Sequence, residues 1–229
     1  MKKLPAKVAI LIILVSQACL SEELQEITNS NELNYFSQTY YLKPKPHLIP
    51  SAINFIESSG LSESPNVKAP LLMSFSCIFS QYKSKEKDSW KDLIDKLSSP
   101  SKELLRRSID ESPRQILSSI PISPAKNDMN WACYFATGNL EYLNNIIHAL
   151  KHLDERQDMN LFLTAASAQW SLSVNSKKHT QVRATMMAMK AGDVIPMRTI
   201  ASDILAKGPQ VIRDETIAIL KAQKESGAW

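Results

Sequence analysis

The chain has 229 residues, 44% hydrophobic and 22% charged, with a formal charge of +4. These are ordinary globular values, and the length suits one large domain or two small ones that need no metal or disulfide staple. Lys2, Lys3 and Lys7 supply most of the excess charge. Without them the chain is close to neutral, which removes the basic excess expected of a nucleic-acid binder.

Residues 1–18 read as a signal peptide. A basic start is followed by an unbroken apolar run from Val8 to Val15, then Ser16, Gln17 and Ala18. The run is far shorter than the ~20 residues a membrane-spanning helix needs. Small residues at the cut site predict cleavage after Ala18 and an exported mature chain. Cys19 is a candidate for lipidation. Ala18 fits a lipoprotein leader, whereas Ser16 and Gln17 fit it poorly, so simple cleavage suits the residues better. The expected location is the periplasm, with outer-membrane attachment or secretion as alternatives. No later apolar run is long enough to cross a bilayer, so the mature chain is expected to lack a transmembrane helix. Peripheral or lipid-mediated attachment stays open.

Residues 19–48 read as a polar tether and an extended segment, with Pro44 and Pro46 too close together for a helix interior. Residues 49–229 read as a helical domain. The chain has only five glycines. Gly60, Gly138, Gly192 and Gly208 fall where apolar periods end, as helix C-caps do. Pro50, Pro70, Pro113, Pro124, Pro196 and Pro209 fall at predicted helix starts. Ser112 and Gln115 have the spacing of a capping box. The stops divide the chain into about eleven short helices: 50–59, 67–82, 88–97, 100–110, 113–120, 124–137, 140–153, 159–173, 180–191, 196–206 and 209–222. With no strand signal, the expected fold is all-α, built from stacked antiparallel helical hairpins.

The clearest hairpin runs from Trp131 to Leu153. Trp131, Tyr134 and Phe135 form one stripe, and Leu143, Ile146, Ile147 and Leu150 form the other. Gly138 and Asn139 make the turn. The segment from Ala132 to Leu150, with Tyr142 and Ala149, resembles half of a tetratricopeptide motif. That resemblance implies an irregular tetratricopeptide-like array with a peptide-binding surface. More widely, Trp131, Tyr134, Phe135, Gly138, Trp170, Asn175, His179 and Val182, with Tyr41, Pro44, Pro46 and Trp90 upstream, resemble an uncharacterised family of exported bacterial all-helical proteins. This implies the fold and the export, and it carries over no catalytic residue.

Four groups of side chains are candidates for function. His148 and His152, four apart on one predicted helix, have a spacing that can grip a metal ion. Ala149 stands where a zinc peptidase would carry its glutamate, and a third ligand would have to come from His47, His179 or Glu155. Lys177, Lys178 and His179 precede a predicted helix start, where free amides favour an anion; Asn175 is a candidate turn residue there. Met186, Met187 and Met189 form a cluster that fits either a core or an adaptable surface. Cys77 and Cys133 are either buried thiols or a disulfide pair. Trp90, Trp131 and Trp170 are expected to pack, and Trp229 to end a frayed tail.

No nucleophile elbow, phosphate loop or dinucleotide fingerprint occurs, and no cofactor is expected. The leading expectation is a non-enzymatic helical-hairpin module of the bacterial envelope that binds a protein or peptide. The alternatives are a helical envelope metalloenzyme using His148 and His152, or a secreted effector acting on a host.

Overall fold

The computed structural model describes residues 24–227. The signal segment, Cys19 and Trp229 lie outside the described residues. Among those described the fold is all-α, with twelve α-helices and no strand. In chain order these are α1 (Ser30–Thr39), α2 (Ile49–Ser59), α3 (Pro65–Phe79), α4 (Ser84–Ile94), α5 (Ser99–Asp110) and α6 (Pro113–Ser118). They continue with α7 (Pro124–Thr137), α8 (Leu140–Ala149), α9 (Met159–Lys178), α10 (Thr180–Ala191), α11 (Ile195–Ala206) and α12 (Pro209–Glu225). Short 3-10 turns occur at Pro46–Leu48, Leu61–Glu63 and Leu150–His152.

Local chemistry sets the helix ends. The Ser112 hydroxyl accepts from the Gln115 amide at 3.3 Å, and the Gln115 side chain accepts from the Ser112 amide at 3.0 Å. The predicted capping box is therefore formed. Gly60 and Gly138 end their helices in the left-handed region, at φ 67° and 69°. Gly192 and Gly208 depart from the expected pattern. Gly192 ends α10 at φ −73°, where any residue would serve. Gly208 precedes α12 as its N-cap rather than following a helix as a C-cap.

Helix α1 lies in the segment expected as a polar tether. Its Leu33, Phe36 and Tyr40 are buried, and Asn29 caps it by accepting from the Glu32 amide. These apolar residues fall at i, i+3 and i+7, one stripe of a helix. The stripe packs on α7, so the helical body begins well before residue 49.

Helix α7 is the wall shared by two apolar cores. Met129, Cys133 and Ala136 face the first, with Phe75, Ile78 and Phe79 of α3. Trp131, Tyr134 and Phe135 face the second, with Leu143 and Ile146 of α8, Leu172 of α9 and Val182 of α10. A helix apolar on both sides is expected at such a position. A disulfide joins Cys77 of α3 to Cys133 of α7, with 5.3 Å between their Cα atoms and both residues fully buried.

Helix α9 runs through the second core and contacts α7, α8, α10, α11 and α12. Its buried Ala165, Ala166 and Ala168 let neighbours approach closely. It continues to Lys178, beyond its expected end near residue 173. Asn175 is accordingly helical, and its amide donates to the Ser171 carbonyl at 3.0 Å. Trp170 is 44% exposed on the same helix, against the expectation that it packs. The methionine cluster divides: Met186 is buried, Met189 packs at the core edge and Met187 points to solvent. No described helix is long and apolar enough to cross a membrane.

Candidate functional site: a groove between α1, α3 and α7

Three helices distant in sequence bound an apolar groove holding about 450 Å³. Helix α1 contributes Leu33 and Asn34, α3 contributes Val67, Leu71 and Ser74, and α7 contributes Asp128, Trp131, Ala132 and Phe135. Leu61 of the preceding 3-10 turn also lines it. The rings of Trp131 and Phe135 stack with centroids 5.3 Å apart. Trp131 is held by a 2.9 Å hydrogen bond from its indole N–H to Ser171 on α9, so this wall is fixed from behind.

One buried polar group in this apolar setting has no partner. The Ser74 hydroxyl is buried with no hydrogen-bond partner, and the residue is only 4% exposed. An unpaired buried hydroxyl costs free energy, on the order of 1–3 kcal/mol. Pro70 lies one turn earlier, inside α3. It has no N–H, so the Asn66 carbonyl loses the donor it would meet four residues on. Asn66 and Pro70 both line the groove. Asp128 reaches solvent at its edge. Neighbouring atoms nevertheless desolvate its carboxyl and raise it above the ordinary aspartate value of 3.8. That solvent contact keeps it a rim carboxylate rather than a buried acid.

Of the predicted anion-binding residues, Lys178 and His179 line one cleft with Tyr41, Thr180 and Gln181. Lys177 and Lys178 are exposed, and Asn175 is occupied within α9. His179 turns inward, its Nδ1 3.0 Å from the Tyr41 hydroxyl and its ring 4.8 Å from that of Phe135. Burial first, and Lys178 second, lower its proton affinity. Burial likewise raises the Tyr41 and Tyr134 hydroxyls, so both stay protonated. The rings of Tyr41, Tyr134, Phe135 and His179 form an aromatic seam between α7 and the α9–α10 junction.

His148 and His152 line a second, polar cleft of about 430 Å³, with Arg114, Lys126 and Asn145. Helix α8 ends at Ala149 and tightens into the 3-10 turn that contains His152. The two imidazoles thus sit on consecutive helical segments and line the same cleft. The His148 Nε2 lies 2.7 Å from the Lys151 ammonium, and the His152 Nδ1 is buried without a partner. Among the described residues no three His, Cys, Asp or Glu side chains are placed to hold a metal ion. Neither His47, His179 nor Glu155 completes the expected set.

The groove was not legible in the sequence. Ser74 and Asp128 belong to separate predicted helices, and α1 was missing from the expected set. Pro70 was expected at a helix start, whereas the helix begins at Pro65 and holds Pro70 in its interior. Compared with known proteins, the chain matches no family model, no curated protein and no solved structure.

Proposed function

We propose that the chain is an exported helical binding protein of the bacterial envelope, and that the α1–α3–α7 groove receives an apolar segment of a protein or peptide partner. The single observation that carries this reading is the unpaired Ser74 hydroxyl beside apolar walls. Ligand sites are mostly apolar concavities with a few polar groups that fix orientation. Ser74 provides such a group, able both to donate and to accept. A partner segment would cover the walls and satisfy this hydroxyl at the same time. Export rests on the leader-like residues 1–18, and the Cys77–Cys133 disulfide would persist in the periplasm as in any oxidising compartment outside the cytosol.

A random-peptide library selected on the purified protein tests the groove. Ala132→Phe fills it from the α7 wall, and Asn34→Trp blocks it from the rim. Selected peptides are expected to bind the wild type and to lose binding to both variants, each checked for an unchanged melting transition. Equal binding to wild type and to both folded variants would contradict the groove as the site.

A further inference from the structure

Resting on the groove reading, we infer that the bound segment places a cationic group beside its apolar side chain, paired with Asp128. Asp128 is the one charged residue among those that line the groove, and no lysine, arginine or histidine accompanies it. Among the described residues it makes no ion pair or hydrogen bond. Some acidic side chains are paired on the surface, Asp110 with Lys91 at 2.9 Å, Glu111 with Arg107 at 3.0 Å and Glu215 with Lys207 at 3.0 Å, and others such as Asp88 and Asp193 make no ion pair among the described residues. What sets Asp128 apart is its place at the solvent-touching rim of an apolar groove, where neighbouring atoms partly desolvate it.

Charge complementarity then selects the partner. An anionic ligand would meet an uncompensated carboxylate, a repulsive element that raises specificity. A neutral apolar ligand would cover the carboxylate without pairing it, which costs free energy. A lysine or arginine next to an apolar residue fills the walls and neutralises Asp128 at once. A single carboxylate is too poor a donor set for a divalent cation, which takes several oxygen ligands. The complementary chemistry is therefore an organic cation on an apolar body.

Three probes of one shape separate these terms: 4-phenylbutylamine, 4-phenylbutanol and 4-phenylbutanoate, each titrated into the ¹⁵N-labelled protein at low ionic strength. Amide shifts at Val67, Leu71 and Ala132 report occupancy of the groove. The amine is expected to bind about fivefold more tightly than the alcohol, the size of a solvent-touching ion pair. The carboxylate should bind most weakly. Asp128→Asn should bring the amine down to the alcohol's affinity and leave the alcohol unchanged. Equal affinities for all three, an amine preference that survives Asp128→Asn, or no binding by any probe would overturn the cation inference. The groove itself is judged separately by the peptide selection, which can succeed with uncharged sequences.

Discussion

Cys77 and Cys133 form a disulfide between the two helices that supply most of the groove's walls. One turn before Cys77, α3 presents Ser74; immediately before Cys133, α7 presents Trp131 and Ala132. The bond lies in the buried first core, with Phe75 and Phe79 nearby in sequence and fully enclosed. It therefore fixes the spacing of the groove walls from the inside, without itself meeting a ligand.

The covalent link spans 56 residues of sequence. Closing a loop of that size restricts the unfolded chain and contributes roughly 2–4 kcal/mol. Cys77→Ser with Cys133→Ser should lower the urea midpoint by a corresponding amount. The helical content measured by circular dichroism should survive, because the core around the bond is otherwise intact. An unchanged midpoint would show that the bond contributes nothing to stability.

Ser74→Ala is expected to stabilise the protein by about 1 kcal/mol, since it removes a buried hydroxyl that has no partner. The same change should weaken binding of a groove ligand. Stability and function would then move in opposite directions, as they do where a site is held ready for a partner. Thermal melts and a titration with a selected peptide measure the two effects.

Gly138→Ala tests the α7–α8 turn. Its φ of 69° lies in the left-handed region, and an added Cβ would stand 3.2 Å from the Tyr41 ring. The expected cost is roughly 1–2 kcal/mol. Because Tyr41 also meets His179, the His179 ring resonances should shift as well. Gly208→Ala is the comparison: its backbone is ordinary and a Cβ there meets nothing within 4 Å, so only the loss of a glycine N-cap, on the order of 0.5 kcal/mol, is expected.

Much of the fold was legible because punctuation and periodicity agreed. Ser112-Pro113 opens α6 and Gly138 closes α7, and in both places the side-chain chemistry permits little else. Helix α1 escaped because acidic and polar residues surround its narrow stripe of Leu33, Phe36 and Tyr40. The end of α9 was misjudged because Asn175 satisfies its amide inside the helix instead of leaving it. The candidate sites depend on geometry that local patterns do not carry. His148 and His152 share a cleft with no third metal ligand placed among the described residues, and the half-buried His179 meets the Phe135 ring while lining a cleft with Lys178. The groove needs α1, α3 and α7 at once, and no local pattern encodes that meeting.

His179 gives a pH dependence with a defined sign. Its folded-state affinity for protons lies below the ordinary value of 6.5, through burial first and Lys178 second. The unfolded chain therefore binds the proton more readily. Its contribution to stability is fully present above pH 6.5 and is lost as pH falls through the lowered folded value. His179→Gln should flatten this part of the stability curve relative to wild type, measured by urea midpoints from about pH 5 to pH 8. Parallel curves for the two proteins would contradict the assignment.

Groove binding is tested most directly by photo-cross-linking in the native cell. A photoreactive phenylalanine analogue replaces Val67 in the groove, and in a second strain it replaces Lys221 on the exposed side of α12. The expected result is a discrete adduct from position 67 that is absent from position 221. Asn34→Trp should abolish it, and the purified partner should protect Val67, Leu71 and Ala132 from solvent in a reconstituted complex. The same adducts from both positions, or an adduct from position 67 that persists when the groove is blocked, would contradict the groove as the binding site.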